Sequence, residues 1–126
     1  MKRVLPLTLC LAVAVCGGGG GGGTTPTPPP ATNPNTFTIT SAGVTPKEIT
    51  VSPGTRVLFV NNDSRRHDMG SDPHPDHGDC PEINSVGVLS PAQSRETGNL
   101  NTVRTCGFHD HDLPDNASLK GRIVIR

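Results

Sequence analysis

All five histidines of the 126-residue chain fall in two short segments. The first runs His67-Asp68-Met69-Gly70-Ser71-Asp72-Pro73-His74-Pro75-Asp76-His77-Gly78-Asp79-Cys80, and the second Cys106-Gly107-Phe108-His109-Asp110-His111-Asp112. Imidazole, thiolate and carboxylate groups ligate first-row transition metals, and imidazole suits copper and zinc in particular. A lone histidine is more often an innocent surface residue. Five in two loop-like segments, each following an expected strand, point instead to a metal site. His74 and His77 stand three apart in a proline-braced stretch, which either presents two nitrogens to one ion or is simply a rigid surface loop. On a regular strand His109 and His111 share a face and Asp110 takes the other, so the three act together only where the strand ends. Asp68, Asp72, Asp76 and Asp79 are placed either to accept imidazole N–H groups or to face water. Hydrolytic chemistry is not indicated, because the serines and aspartates are scattered through turns and no Gly-x-Ser-x-Gly elbow occurs.

The elements that must hold these residues read as short strands. Phe37–Thr40 and Ile49–Val51 alternate, Arg56–Val60 is a fuller apolar run, and Val86–Leu89, Asn101–Phe108 and Arg122–Arg126 follow. Pro46, Ser52-Pro53-Gly54, Asn61-Asn62-Asp63, Ser90-Pro91 and Gly98-Asn99 punctuate them with turn residues. No window sustains the spacing of an amphipathic helix, so the pattern predicts an all-β sandwich or small barrel over residues 36–126. Lys and Arg number 11 against 11 Asp and Glu. That balance leaves no footprint for nucleic acid and no polybasic patch for anionic lipid. With three Phe and no Trp or Tyr, aromatic-lined binding surfaces are not expected.

Residues 1–16 carry two positive charges and then an apolar run that ends at Cys16, the layout of a secretory signal too short to span a bilayer. Residues 17–35 are an uncharged Gly- and Pro-rich linker. The N-terminus resembles that of a bacterial lipoprotein, with Val13-Ala14-Val15 matching the usual box in part. The resemblance implies lipidation of Cys16 and a membrane association made through that anchor alone. Cleavage after Ala14 would instead release a soluble periplasmic protein. Either way the protein is expected to be exported to the cell envelope of a bacterium. Cys10 lies within the signal, which leaves Cys80 and Cys106. In an oxidising compartment these form a disulfide most simply, stabilising the domain by about 3 to 4 kcal/mol on the chain-entropy estimate. Alternatively Cys106 is a thiolate ligand, which a disulfide would preclude.

Ile49-Thr-Val51-Ser-Pro53-Gly54-Thr-Arg-Val57-Leu-Phe59-Val-Asn61-Asn62-Asp63, followed by His67, resembles the first half of a cupredoxin, the plastocyanin-like blue copper domain. Leu119-Lys120-Gly121-Arg122-Ile123-Val124-Ile125 resembles that family's closing strand. The resemblance implies a Greek-key β-sandwich and puts the first copper histidine on His67. Two registers fit the copper loop. In one, Cys106 and His109 are the family's Cys and second His, completing a trigonal set with His67. In the other, Phe108 matches the aromatic of the family's aromatic-x-Cys step, and Asp110 falls where the thiolate belongs and Leu113 where the second histidine belongs. Both put Leu119 at the axial methionine position, where leucine cannot coordinate. With a disulfide, the leading ligands are His67, His109 and His111, with Asp110 as an oxygen ligand and His74 and His77 as further candidates.

The resulting expectation is a copper-binding protein acting in electron transfer, with a redox protein partner, or in copper handling; zinc or no metal are the alternatives. A metal-free structural β-sandwich is a second class. A third is an enzyme like the copper–zinc superoxide dismutases, whose full ligand set cannot be placed here.

Overall fold

The computed structural model describes residues 33–126. The expected signal, Cys16 and the linker as far as residue 32 lie outside the described residues. Among the described residues no helix is long and apolar enough to cross a membrane.

Nine strands form two sheets, in which β1 is Thr36–Thr40, β2 Gly43–Thr45, β3 Glu48–Val51, β4 Leu58–Asn61 and β5 His67–Ser71. The remainder are β6 Gly87–Leu89, β7 Ser94–Glu96, β8 Arg104–Asp110 and β9 Gly121–Ile125. Two short 3-10 helices, Pro81–Ser85 and Ala117–Leu119, fill connections. One sheet has the order β2-β1-β4-β7 and the other β3-β9-β8-β5-β6. Both are mixed: β1 runs parallel to β4 and β3 parallel to β9, while the other pairs are antiparallel. The expected all-β sandwich is therefore present.

Alternation explains which face each strand buries. Phe37 and Ile39 of β1, Ile49 and Val51 of β3, and Ile123 and Ile125 of β9 point inward, with their polar neighbours outward. The parallel register sets Ile49 beside Ile123 and Val51 beside Ile125. All three phenylalanines meet at the centre. Phe37 and Phe59 come from one sheet and Phe108 from the other, with centroids 4.7 to 5.1 Å apart and Phe108 edge-on to both partners. Such tilted and edge-on contacts are the favoured geometry for aromatic rings, and the cluster ties the sheets together.

The structure departs from the sequence pattern in five strands. β4 begins at Leu58 rather than Arg56, and β8 begins at Arg104 and runs on to Asp110, two residues past the expected end. β2 and β7 are three-residue strands too short to show a period. Most consequentially, the start of the first histidine segment is not a loop but β5, a strand flanked by β8 and β6. Its sequence, His-Asp-Met-Gly-Ser, carries one large apolar side chain. Four of its five residues are nevertheless buried, because tertiary neighbours rather than its own hydrophobicity cover it.

Candidate metal centre

β5 and β8 pair antiparallel, with Gly70 opposite His109, Ser71 opposite Phe108 and Met69 opposite Asp110. Cys106 and Phe108 belong to the core, so alternation turns Gly107 and His109 to the outer face of the sheet, together with Gly70. The chain after β5 folds back over this outer face. The Asp72 N–H donates to the Gly107 carbonyl at 3.0 Å, Asp79 N–H to the Asp72 carbonyl at 2.9 Å, and Cys80 N–H to Ser71 Oγ at 3.1 Å. The Asn84 amide donates to the His77 carbonyl at 2.9 Å. The Cys80–Cys106 disulfide then fastens the end of this loop to β8, with both cysteines fully buried.

Two glycines make the fold-back possible. A Cβ on Gly70 would stand 2.5 Å from His77 Nδ1, and one on Gly107 would overlap the Asp72 carboxylate. His77 itself has φ 53°, in the left-handed region that few non-glycine residues adopt. Its backbone is held there by its N–H bond to the Pro73 carbonyl at 2.7 Å and by the Asn84 contact.

Four imidazoles converge as a result. His74 and His77 from the loop meet His109 of β8 and His111 just beyond it, and one ring nitrogen of each lies within 4.8 Å of the others. Four nitrogens bound about 2.0–2.1 Å from one ion stand roughly 3.3 to 3.4 Å apart in a tetrahedron, or about 2.9 Å (adjacent) and about 4.1 Å (opposite) in a square plane, so small ring movements would close the set. Partners of the second ring nitrogen fix the tautomers. His77 Nδ1 donates to the Ser71 carbonyl at 2.8 Å, which leaves its Nε2 as a lone pair facing His111 Nδ1 at 2.7 Å. His109 Nδ1 donates to Asp72 Oδ1 at 2.6 Å. The opposite atom, His109 Nε2, is buried and has no hydrogen-bond partner. A buried polar atom left unpaired is costly, and a carboxylate-oriented imidazole with its other nitrogen free is the arrangement that metal-binding histidines favour. Desolvation at the crowded cluster lowers the pKa of the otherwise exposed His74, and repulsion from His111, His109 and His77 adds to this against the opposing pull of Asp115. The ring is thereby kept in its neutral form, the one that ligates.

His67 does not join this cluster. It lies on the inner face of β5, 1 % exposed, with Nδ1 2.8 Å from Asp110 Oδ2 and Nε2 3.2 Å from Asp63 Oδ2. The ring satisfies both carboxylates when both nitrogens carry protons. Burial acts to raise the Asp63 carboxyl, but hydrogen bonds from His67 and Ser64 and the nearby Arg65 charge outweigh it and hold the pKa below its usual value. Asp110 likewise points inward and is engaged by His67 and by the N–H groups of Asp68 and Asp112. It faces away from the four imidazoles, as alternation along β8 requires.

The expected set of His67, His109 and His111 is thus divided: His109 and His111 stand together with His74 and His77, while His67 and Asp110 pair with each other inside the sandwich. Cys106 is disulfide-bonded, so the thiolate alternative does not hold in this structure. Leu119 is a core residue, 2 % exposed. Of the four aspartates near the first segment, Asp72 is the one that holds an imidazole. Asp63 escaped sequence reasoning, since its role depends on a turn that brings it against a histidine four residues on. The convergence of the loop on β8 had one legible sign, glycines at alternate-face positions of both strands, which was open to reading only once β5 was recognised as a strand.

No family model matches the chain, and no curated protein matches it. Solved structures do. A purple cupredoxin from Nitrosopumilus maritimus superposes with TM-score 0.56 at 14 % identity, covering 72 % of this chain and 98 % of that one. The oxidised form of plastocyanin from Dryopteris crassirhizoma gives 0.55 at 22 %, covering 72 % and 99 %. Amicyanin from Paracoccus versutus gives 0.56 at 15 %, covering 72 % and 79 %. The likeness is one of architecture, and residues 33–126 have a cupredoxin-like fold.

Proposed function

We propose that the domain binds copper through His74, His77, His109 and His111 and serves in copper handling, as a carrier or buffer in the cell envelope. The observation that carries this reading is the buried, unpartnered Nε2 of His109 among three other imidazoles within 4.8 Å. An all-nitrogen donor set suits Cu(II), with zinc the next candidate. Among the similar structures, a variant amicyanin is described with Cu(I), which favours copper over zinc as the first metal to test. Electron transfer through a blue copper site has less support, since both cysteines near the histidines, Cys80 and Cys106, are joined in a disulfide. That disulfide fits an extracytoplasmic location. The signal at residues 1–16 and lipidation at Cys16 belong to the same proposal and account for how the domain reaches and stays in that compartment.

The test is to add one equivalent of Cu(II) to the purified protein and record visible and electron paramagnetic resonance spectra. A pale product with ordinary hyperfine splitting and nitrogen couplings, abolished by His109→Ala, is the expected result. An intense blue colour with narrow splitting would mean thiolate ligation and overturn the all-histidine set. Absence of any copper or zinc binding would leave a structural β-sandwich as the answer.

A further inference from the structure

We propose that His67 is a positioning residue for the four-imidazole cluster, acting through Asp110 on His111. This rests on the copper reading for its purpose, though not for its geometry. Asp110 sits between two members of the cluster, His109 and His111, yet its side chain points to the opposite face of β8. There Oδ2 meets His67 Nδ1 at 2.8 Å, while Oδ1 accepts the N–H of Asp68 at 3.1 Å and of Asp112 at 3.0 Å. His111 donates its own N–H to the Asp68 carbonyl at 2.6 Å. The backbone of His111 is therefore gripped on both sides by groups that the Asp110 carboxylate gathers.

The carboxylate in turn is held in place by His67. That ring is 1 % exposed and anchored on its far side by Asp63 at 3.2 Å, so it cannot swing away without leaving the buried Oδ2 of Asp110 without its partner. His109 needs none of this, because it leaves β8 on the outer face and is oriented by Asp72 at 2.6 Å. His67 thus governs where the chain carries His111 as β8 ends, while His109 is set independently. Loss of a group bonded directly to a ligand typically lowers metal affinity about 10- to 100-fold, and His67, a step further out, is expected to fall at the lower end of that effect.

The experiment is a double-mutant cycle on the full-length protein with His67→Gln and His111→Ala, read by Cu(II) affinity. His67→Gln alone is expected to lower affinity about tenfold. In the His111→Ala background it is expected to change affinity by less than about twofold, since the residue through which it acts is gone. An equal loss in both backgrounds would overturn the proposal, showing that His67 either ligates or supports the fold at large. Amide hydrogen exchange on the metal-free protein gives a second reading. His67→Gln should speed exchange at His111 and Asp112 while leaving His109 protected, and uniform loss of protection would overturn the proposal. If the wild-type protein binds no copper, the copper reading falls and exchange alone decides on His67. If His67→Gln fails to fold, Asp63→Asn loosens the same ring from its far side and must show the same selective pattern.

Discussion

At the scale of single residues, the four imidazoles differ in how they are kept ready for an ion. His77 and His109 each have a protein acceptor on Nδ1, whereas His74 relies on its surroundings to stay neutral. Because the folded His74 pKa lies below its ordinary 6.5, protons compete with metal at that ring only below this value. Copper affinity is expected to hold level above about pH 6.5 and to fall as pH drops further, measured by calorimetric titration across pH 4 to 8. A level affinity down to pH 4 would count against an imidazole site. The same lowered pKa has a sign for the metal-free fold: the unfolded ring takes up a proton at higher pH than the folded one, so stability is fullest above 6.5 and declines below it. Asp63 has the same sign lower down, its contribution being present above pH 3.8 and lost as pH falls through its lowered folded value. Gly70 supplies a sharper test. Gly70→Ala drives a Cβ into His77 and displaces the ring from the Ser71 carbonyl, so copper affinity should drop at least about tenfold while the core-facing side of β5 keeps its contacts. Affinity unchanged by Gly70→Ala would mean that His77 is dispensable.

At the scale of elements, the cluster joins the loop of residues 72–80 to the end of β8, and the Cys80–Cys106 bond ties the same loop to the same strand near its start. Replacing both cysteines with serine should cost about 3 to 4 kcal/mol of folding stability by loop entropy, for a sequence separation of 26 residues. Because the bond anchors the loop that carries His74 and His77, the replacement should also weaken copper binding in protein that remains folded. Denaturant melts with and without copper would separate the two effects, and a variant that loses stability but keeps full copper affinity would show the loop to be held by its hydrogen bonds alone. The disulfide was legible from cysteine arithmetic and expected export. The strands β1, β3 and β9 were legible from alternation, because each buries one face and wets the other. β5 was not, since a strand covered on both faces by other elements need not alternate, and its histidine, aspartate and glycine read as loop. That composition hides the geometry of the site, because only a strand over residues 67–71 puts His67 on the inner face and Gly70 beside His109.

For the molecule as a whole, the three phenylalanines carry the junction between sheets, Phe37 from an alternating segment and Phe59 from a fuller apolar run. Phe59→Ala should cost about 3 to 5 kcal/mol, seen as a lower denaturation midpoint. A loss below about 1 kcal/mol would mean that the sheets are held by their periphery instead. The resemblance to cupredoxins predicted the sandwich; of its two registers, one puts His67 and Asp110 both at copper-ligand positions, and in the structure those two side chains do touch. They meet as a hydrogen-bonded pair inside the sandwich, however, while the imidazole cluster has formed on the outside of the sheet, covered by a loop whose path no strand pattern encodes.

That outside location shapes how an ion would leave. His74 and His111 are exposed, while His109 is buried and His77 lies between these extremes. A competing chelator could therefore take hold of an ion before the last imidazole lets go, trading one bond at a time and requiring no opening of the core. Departure by that route is bimolecular. The rate of copper loss should rise in proportion to the concentration of the acceptor, and a rate independent of acceptor concentration would instead mean that the loop must first unlatch by itself.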